Sequence, residues 1–538
     1  MNSRLRLVVP IAATASLAAL IALPVAGSAK PASATLGSIN HIVVIYQENH
    51  SFDNLYGSWE RVNGLSRASA AHTLQIKQDG TTFNCLLQND PQLSSPPLPV
   101  RCTDTTGTGT NSSFGSYFPN QPFTIDPFVP SNQTTRDLVH RFYQEQYQIN
   151  GGQQNRYVTG SDAVGLAMGQ YDTSLLPIYT YLHDAAHPSY AIADKFFQGS
   201  FGGSFLNHQW LIAAKTPTYP NAPNHSVLDA NGMPNKYALY TPTGTVKDNA
   251  FTEACGPTAV YPQTCGDNVV NTIQPPFQPT FRAADGTVLR LPAQTSPTIG
   301  DELSAANVDW AWYAGGWSNA DGEVGAPGWT NGSGPTSTGA CPDSNTTANP
   351  AWPYCPGKLF QFHHQPFNYF ANYAPGTPGR SHLQDEQAFL NAASGSNDTC
   401  NLKPVSFVKP IGEENEHPGY TNEERGSKHL VDLLTAIEGS ACKSDTLVIT
   451  TYDEFGGFWD HVSPPSQSNP SGPFDQWGPG TRVPALVISP FLNSDFVVDH
   501  VPHDTTSILA TIEHRFGLSP LGTRDAAVRD LSSVYQAR

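Results

Sequence analysis

The sequence predicts an α/β fold, in which a mostly parallel sheet is flanked by helices on both faces. Short runs of β-branched residues indicate buried strands, and segments with helical spacing alternate with them along the chain. Two of the strands also end abruptly in clusters of acidic and amide side chains, which is the position where ligands bind in open parallel sheets.

The first strand is expected at His41–Gln47, an apolar run that stops at Glu48 and Asn49. A strand that simply precedes a helix cap is the alternative interpretation of this segment. Ser51 and Asp53, which follow directly, are expected to cap and brace the turn that presents the two ligand candidates. The segment alone therefore leaves a metal or proton site and a structural turn both open.

A second strand of the same kind, 444–452, ends at an acidic pair that is followed by two glycines and an Asp-His pair. A solvated turn is the alternative for one such pair, but parallel strands bring their carboxyl ends together however distant they are in sequence. Oxygen ligands of this kind suit Mg²⁺, Ca²⁺ or Mn²⁺, and a histidine added to them suits Zn²⁺ or Fe. The predicted ligands of one divalent metal ion are Glu48, Asn49, Asp453 and Glu454.

The remaining elements follow from the same periodicities. Further strands are expected at Val308–Ala314, Val405–Lys409 and Val483–Ser489. Helices are expected at Arg136–Gln148, Leu175–Ala186, Phe205–Ala213, Leu383–Ala393, Ser427–Glu438 and Thr505–Phe516. Regions 216–298 and 318–356 are rich in Gly, Pro, Ser, Thr and Asn, so they predict long disulfide-pinned loops or a small β-rich lid.

Residues 1–34 have the pattern of a secretory signal peptide. Two arginines precede an apolar stretch at 7–25, and small residues around Ala29 and Ala34 offer cleavage sites. An uncleaved anchor is the alternative, but prolines within the stretch favour cleavage and no stable membrane insertion afterwards. We therefore expect a secreted or periplasmic protein whose residues 35–538 form a single domain with two insertions.

The eight cysteines agree with an oxidising compartment. They fall as neighbours in sequence without any C-x-x-C pair of the zinc-site type, so four local disulfides are expected. Other arrangements stay open, since eight cysteines allow many connectivities. The expected pairs are 85–102, 255–265, 341–355 and 400–442.

The charge balance is acidic and limits the possible partners. The chain has a net charge of 28 − 45 = −17, and loss of the three basic residues of the signal peptide makes it 25 − 45 = −20. No basic stripe is visible, which argues against nucleic-acid binding and against attraction to anionic membranes. A phosphorylated substrate would have to be bound by local groups instead of by the general field of the protein.

Several separated motifs resemble the bacterial phosphoesterase family, which contains acid phosphatases and phospholipases C and is a branch of the alkaline-phosphatase-like superfamily. The resemblance runs from about His41 to the carboxyl terminus. Its motifs are Glu48-Asn49-His50-Ser51-Phe52-Asp53, similar to E-N-x-S-F-D; Asp453 to Val462, similar to D-[DE]-x-G-G-x-x-D-H-V; and the segments Arg482–Pro490 and His503–Leu509.

The resemblance implies a nucleophile and a set of histidines. The nucleophile maps onto Ser204 in Gly202-Gly203-Ser204, although a plain helix N-cap is the alternative for this serine. Active-site histidines map from the resemblance onto His140, His363 and His364, and His417 follows the strand expected at Val405–Lys409, so it can reach the same site. Together they would bind phosphoryl oxygens and protonate the leaving alcohol, although a buried, hydrogen-bonded or surface histidine is the alternative for each. The His363-His364 pair and the segment 310–317 favour the acid phosphatase branch. The roles of Asp460, His461 and His503 are left open.

The sequence thus predicts a metal-dependent acid phosphatase that hydrolyses small phosphomonoesters through a phosphoserine intermediate. A phospholipase C acting on lipid head groups is the alternative within the same fold. A secreted binding protein that has lost its chemistry is the alternative of another class. Metal identity, natural substrate and oligomeric state are not predicted.

Overall fold

A computed structural model describes residues 36–86, 118–222, 225–230, 232–234, 250–279, 289–330, 360–394, 399–466 and 469–538 of the chain. The predicted signal peptide and the predicted pair 341–355 lie outside these residues, as does Cys102 of the pair 85–102. The prediction that residues 35–538 form one domain with two insertions stays a prediction.

An eight-stranded sheet lies at the centre of the described residues. Its order is β8-β2-β7-β6-β1-β5-β3-β4, and only β7 runs against the other strands. The predicted α/β fold with a mostly parallel sheet is confirmed. The strands are β1 His41–Gln47, β2 Tyr190–Ala193, β3 Trp310–Ala314, β4 Leu383–Asp385, β5 Val405–Lys409, β6 Thr446–Tyr452, β7 Ala485–Ile488 and β8 Phe496–Asp499.

The register of the three central strands aligns their carboxyl ends. Strand β1 lies between β5 and β6 and is parallel to both, with Ile45 opposite Val408 on one side and Gln47 opposite Tyr452 on the other. All three strands are buried along almost their whole length, which explains their continuous β-branched runs. The residues that follow β1 and β6 therefore emerge side by side at one edge of the sheet.

Helices cover both faces of this sheet. Adjacent residues of a strand point to opposite faces, and in β3 the ring of Trp312 lies 6.0 Å from His208 while that of Tyr313 lies 5.5 Å from Phe389. The helices that carry these partners, α5 and α8, thus lie on opposite sides. The helices are α1 Phe52–Leu55, α2 Ala70–Thr73, α3 Phe142–Ile149, α4 Pro177–Leu182, α5 Ser204–Ala213, α6 Ile299–Ala305, α7 Trp317–Asp321, α8 Glu386–Ala393, α9 Glu423–Glu438 and α10 Thr506–Phe516.

Three predicted helices begin later than expected. Helix α3 begins at Phe142 because residues 136–141 run extended. Helix α8 begins at Glu386 because the preceding residues pair with β3 as strand β4, and the side chain of Asp385 accepts a hydrogen bond from Gln387 N. Helix α4 spans only Pro177–Leu182, since Pro177 occupies its first turn. Strands β2 and β8, at four residues each, were not predicted.

The disulfides and the insertions complete the fold. The pairs Cys255–Cys265 and Cys400–Cys442 are present as predicted. The described part of region 216–298 is a disulfide-pinned loop with isolated bridges, such as Phe251 to Val269, instead of a β-rich lid. Within the described ranges, none of the helices is both long and apolar enough to cross a membrane.

Candidate functional site

The hydroxyl of Ser204 lies where the ends of β1 and β6 meet the first turn of α5. Its Oγ donates a hydrogen bond to Glu48 Oε2 at 3.1 Å and lies 3.4 Å from both Asn49 Oδ1 and Glu454 Oε1. All four side chains are buried. The nucleophile and three of the four metal ligands predicted from sequence are therefore in direct contact with one another.

Two glycines bring the backbone before Ser204 close to its neighbours. Gly202 has a φ of +92°, and a β-carbon on Gly203 would lie 2.8 Å from the carbonyl oxygen of His140. Ser204 is the first residue of α5 and does not act as its N-cap; the cap position belongs to Gly203, without a side-chain hydrogen bond. The serine hydroxyl is thus free of a capping role and points to the acidic groups.

The fourth predicted ligand, Asp453, holds the turn after β1. Its Oδ1 accepts hydrogen bonds from Asn49 N at 3.2 Å and from Glu454 N at 2.8 Å, while no protein group among the described residues bonds to its Oδ2. Asn49 adopts a positive φ of 66°, a conformation that asparagine tolerates better than most residues. Asp453 therefore fixes one ligand candidate and leaves a buried carboxylate oxygen without a partner.

A cavity of about 370 Å³ opens over Ser204. Residues 137–141, from the extended segment before α3, form one wall, and residues 270–272 of the insertion form another. The predicted residues Ser204, His140, His363 and His417 line it, together with Asp162 and Tyr420. A space of this size is large enough for a small phosphorylated ligand beside the serine hydroxyl.

Two of the cavity histidines have a fixed tautomer. The Nδ1 of His140 bonds to the carbonyl oxygen of Leu138 at 2.5 Å, and the Nδ1 of His417 bonds to that of Pro418 at 2.6 Å. A carbonyl can only accept, so Nδ1 carries the proton and Nε2 carries the lone pair in each neutral ring. The Nε2 of His417 accepts from Asn49 Nδ2 at 2.8 Å, and the Nε2 of His140 lies 3.5 Å from Glu454 Oε1.

The histidine pair predicted at 363 and 364 divides between two environments. His363 lines the cavity, and burial together with the charge of Lys409 lowers its pKa to about 3. His364 lies behind Ser204, outside the cavity lining, where its ring stacks on His208 at 5.0 Å. Its Nε2 is 3.1 Å from Glu48 Oε1. Only His363 is therefore positioned to contact a ligand in the cavity.

Sequence analysis missed two residues of the centre, His208 and Lys409. The ammonium of Lys409, at the end of β5, contacts the Glu48 carboxylate and donates to the Tyr46 carbonyl at 3.0 Å. The sequence signal that could have revealed Lys409 is a lysine at the end of an otherwise apolar strand. His208 follows Ser204 by one helical turn, so its spacing places both residues on one face of α5.

The charges of the centre call for a cation. Burial and the neighbouring Asp453 raise the pKa of Glu48 to about 8 and that of Glu454 well above its ordinary value, and burial raises the pKa of Asp453. Three carboxylates and the one ammonium of Lys409 sum to −3 + 1 = −2 when ionised. A divalent ion balances that charge, and the carboxylate, amide and imidazole groups present are suitable ligands for one.

The residues whose roles were left open belong to other networks. His461 Nδ1 bonds to Asp53 Oδ2 at 2.6 Å, and Asp460 pairs with Arg482 at 3.0 Å, so both brace the turn after β1. His503 packs near the carboxyl terminus, 2.9 Å from Ser533 Oγ. None of these three histidine and aspartate side chains contacts Ser204.

Comparisons with known proteins find a matching family and several similar sequences. A family model described as "Phosphoesterase family" matches residues 39–519. Phospholipase C A of Mycobacterium tuberculosis is 24% identical in an alignment that covers 94% of this chain and 79% of that protein. Phospholipase C B of the same organism is 35% identical over 25% of this chain and 29% of that protein.

A plant protein is also similar. Non-specific phospholipase C6 of Arabidopsis thaliana is 33% identical over 27% of this chain and 32% of that protein. The chain therefore spans less than a third of the length of phospholipase C B and of phospholipase C6 in these alignments.

Proposed function

The chain belongs to the phosphoesterase family, and from this we propose that it hydrolyses phosphoric esters with Ser204 as nucleophile, first of all phosphodiesters of the kind that a phospholipase C cleaves. One observation carries the proposal: Ser204 Oγ lies within 3.4 Å of Glu48, Asn49 and Glu454 at the floor of a cavity that histidines line. The names of the similar proteins support the phosphodiester over the monoester.

The residues of the chain divide the work as follows. A divalent ion held by Glu48, Asn49, Asp453 and Glu454 would lower the pKa of the serine hydroxyl and neutralise charge on the phosphoryl group. The first turn of α5 adds backbone N–H groups beside the same oxygens. His363 lies in the cavity wall, where a ring N–H would bind a phosphoryl oxygen, and His417 accepts a hydrogen bond from Asn49 Nδ2 and so orients that ligand candidate. Such positioning and charge neutralisation are what phosphoryl transfer requires.

In the first step Ser204 Oγ forms a bond to phosphorus and its proton passes to Glu454. The bond from phosphorus to the leaving oxygen breaks in line, and that oxygen takes a proton from Nε2 of His140 in its protonated form, which is the minor but more acidic form because burial lowers the pKa of this ring. In the second step His140 accepts a proton from water as its oxygen attacks phosphoserine. The phosphorylated product leaves, and Ser204 regains its proton from Glu454.

An acid phosphatase is the second candidate. His363, which was predicted from the resemblance to that branch, lines the cavity and supports this activity. In the phospholipase reaction the leaving alcohol is a diacylglycerol and the product is a phosphorylated head group. In the phosphatase reaction the product is inorganic phosphate. The residues that perform the two steps are the same, so the candidates differ only in what the cavity accepts.

A substrate comparison tests the proposal. The full protein is assayed with short-chain phosphatidylcholine and with p-nitrophenyl phosphate at pH 5 and pH 7, beside Ser204→Ala. A higher kcat/KM for the phospholipid, and loss of at least about 1,000-fold in the variant, are expected. A higher value for the monoester would replace the phospholipase with the acid phosphatase. No turnover of either substrate would favour the secreted binding protein and overturn both.

A further inference from the structure

A second cluster lies behind Ser204 and does not border the cavity. We call it the inner chamber, and it consists of Glu48, His208, His364, Asp453 and Lys409. All five side chains are at most 5% exposed. Within the described part of the chain, two polar atoms there have no hydrogen-bond partner, His208 Nε2 and Asp453 Oδ2, whereas His364 Nε2 faces Glu48 Oε1 at 3.1 Å.

His208 is held in the manner of a metal ligand. Its Nδ1 bonds to the carbonyl oxygen of Ser204 at 2.7 Å, so the proton is on Nδ1 and the lone pair is on Nε2. A ligating histidine usually donates its other ring N–H to a carbonyl or carboxylate in this way, which orients the ring. The Nε2 lone pair is buried and lies 3.9 Å from Glu48 Oε1. Nothing in the proposed reaction uses it.

Two carboxylates lie beside the ring of His208. A ring nitrogen of His208, one oxygen of Glu48 and one oxygen of Asp453 all lie within 4.8 Å of one another, and all three residues are buried. The unpartnered Oδ2 of Asp453 lies 3.7 Å from Nδ1 of His208, on the protonated side of the ring. Leaving a carboxylate oxygen and a ring nitrogen buried without partners costs free energy that a bound cation would offset.

Lys409 limits how many ions the chamber holds. Its ammonium contacts Glu48 Oε1 and supplies one positive charge, so the three carboxylates of the centre retain a charge of −2. One divalent ion neutralises that charge, whereas a second would leave an excess positive charge in a buried site.

We propose that His208 Nε2 is a ligand of the divalent ion, together with Glu48 and Asp453, and that this nitrogen makes the centre select a transition metal such as zinc or iron over magnesium or calcium. Imidazole favours zinc, copper, iron and nickel, whereas oxygen-only sites favour magnesium, calcium and manganese. The inference rests on the metal dependence of the proposed function, and it adds a ligand and a metal class to it.

X-ray absorption at the zinc edge tests the ligand directly. Protein stripped of metal is loaded with one equivalent of Zn²⁺, and imidazole scattering is counted in the wild type, in His208→Gln and in His364→Gln. His503→Gln serves as the matched control, because His503 is equally buried but belongs to another network. Competition with a chromophoric chelator gives the Zn²⁺ affinity of each protein, and titration gives its Mg²⁺ affinity. Circular dichroism without metal checks that each variant folds.

At least one imidazole is expected around zinc in the wild type, with one fewer in His208→Gln. The Zn²⁺ affinity of that variant should fall by about 10- to 100-fold or more, with no change for Mg²⁺ or in His503→Gln. An oxygen-only shell, or an imidazole lost in His364→Gln but kept in His208→Gln, would overturn the inference. The metal dependence of the proposed function is tested separately, by comparing hydrolysis with and without a chelator. Equal rates would refute metal dependence, whichever residues bind Zn²⁺ in the absorption experiment.

Discussion

Gly456 packs so closely on Asn49 that a β-carbon at Gly456 would lie 1.9 Å from the Asn49 carbonyl oxygen. The two residues follow the ends of two neighbouring parallel strands, β1 and β6. Gly456 N also donates to Glu454 Oε2 at 2.6 Å, so the glycine touches one ligand candidate and orients another. The geometry of the centre therefore depends on the absence of a side chain at this position.

Gly456→Ala should lower kcat/KM by about 100-fold, because the β-carbon forces the Asn49 backbone away from Ser204 and misplaced groups cost about that much. Gly517→Ala is the matched control. Gly517 has a similar φ of +69°, but a β-carbon there meets nothing within 4 Å. It should cost about 1 kcal/mol of unfolding free energy and no activity. Steady-state kinetics and denaturant unfolding of both variants check this, and equal kinetics in the two would contradict it.

Ser204 should carry the phosphoryl group during turnover. Acid quenching of the enzyme with excess substrate, followed by peptide mass spectrometry, should find phosphoserine at position 204 and at no other serine. Ser51→Ala is the control, because the Ser51 hydroxyl bonds to the Trp459 carbonyl at 2.7 Å and caps α1. That variant should lose about 1 kcal/mol of stability but still form the intermediate. Phosphoserine at position 51 would refute the assignment of the nucleophile.

The acidic half of the centre could be predicted because parallel strands impose it. The ends of β1 and β6 meet at one edge of the sheet whatever the 400-residue separation, so Glu48 and Glu454 were expected together. His208 and Lys409 were not predicted. The apolar residues of α5 and β5 are enough to explain the periodicity of these elements, so the sequence pattern does not point to a functional side chain on either one. Their contribution depends on side-chain directions that periodicity does not give.

The walls of the cavity could not be predicted either. Helical spacing was predicted from Arg136 onward, but the structure has no helix before Phe142, and residues 137–141 line the cavity instead. Residues 270–272 come from an insertion without any periodicity. The preference for the acid phosphatase branch came from the His363-His364 pair and the segment 310–317, of which only His363 lines the cavity, whereas the similar proteins are named as phospholipases C.

The pH dependence of stability should contain a contribution from His429. Burial lowers the pKa of His429, but the carboxylates of Glu386 and Glu414 outweigh it, so the pKa lies above its ordinary value. The ion pairs of protonated His429 with these carboxylates therefore stabilise the fold fully below about pH 6.5. This stabilisation is lost as the pH rises through the folded-state pKa of His429. The difference in unfolding free energy between wild type and His429→Gln should be larger at pH 6 than at pH 9. An equal difference at both would contradict the assignment.

The two disulfides should differ in their contribution to stability. Cys400 and Cys442 are 42 residues apart and Cys255 and Cys265 only 10, so loop-closure entropy assigns them about 4 and about 3 kcal/mol. Replacing each pair by serine, with thermal unfolding as the measurement, should therefore lower the melting temperature more for the pair 400–442. The pair 255–265 lies in the insertion that forms a cavity wall, so only its loss should also change KM. The reverse order of melting temperatures would show that strain or denatured-state structure dominates.

Arg482 joins three of the motifs that the sequence singled out. It lies 3.0 Å from Asp53 Oδ1 and 3.0 Å from Asp460 Oδ1, and its Nη1 donates to the carbonyl oxygens of Asn63 and Asp194. All three charged side chains are fully buried. Removal of the arginine would leave two carboxylates without a counter-charge.

Arg482→Met should therefore cost about 3 to 5 kcal/mol of unfolding free energy, because it breaks a buried ion pair without replacing its partner. Lys428→Met is the contrast, since Lys428 pairs with Asp432 on the surface of α9 and its side chain is 67% exposed. That pair should be worth about 0.3 to 0.5 kcal/mol. Urea unfolding of both variants at pH 7 measures the two costs. Equal unfolding free energies for Arg482→Met and Lys428→Met would contradict this prediction. The backbone alone would then hold the turn after β1, and the ion pairs of Asp53 and Asp460 would have no part in positioning Glu48 and Asn49.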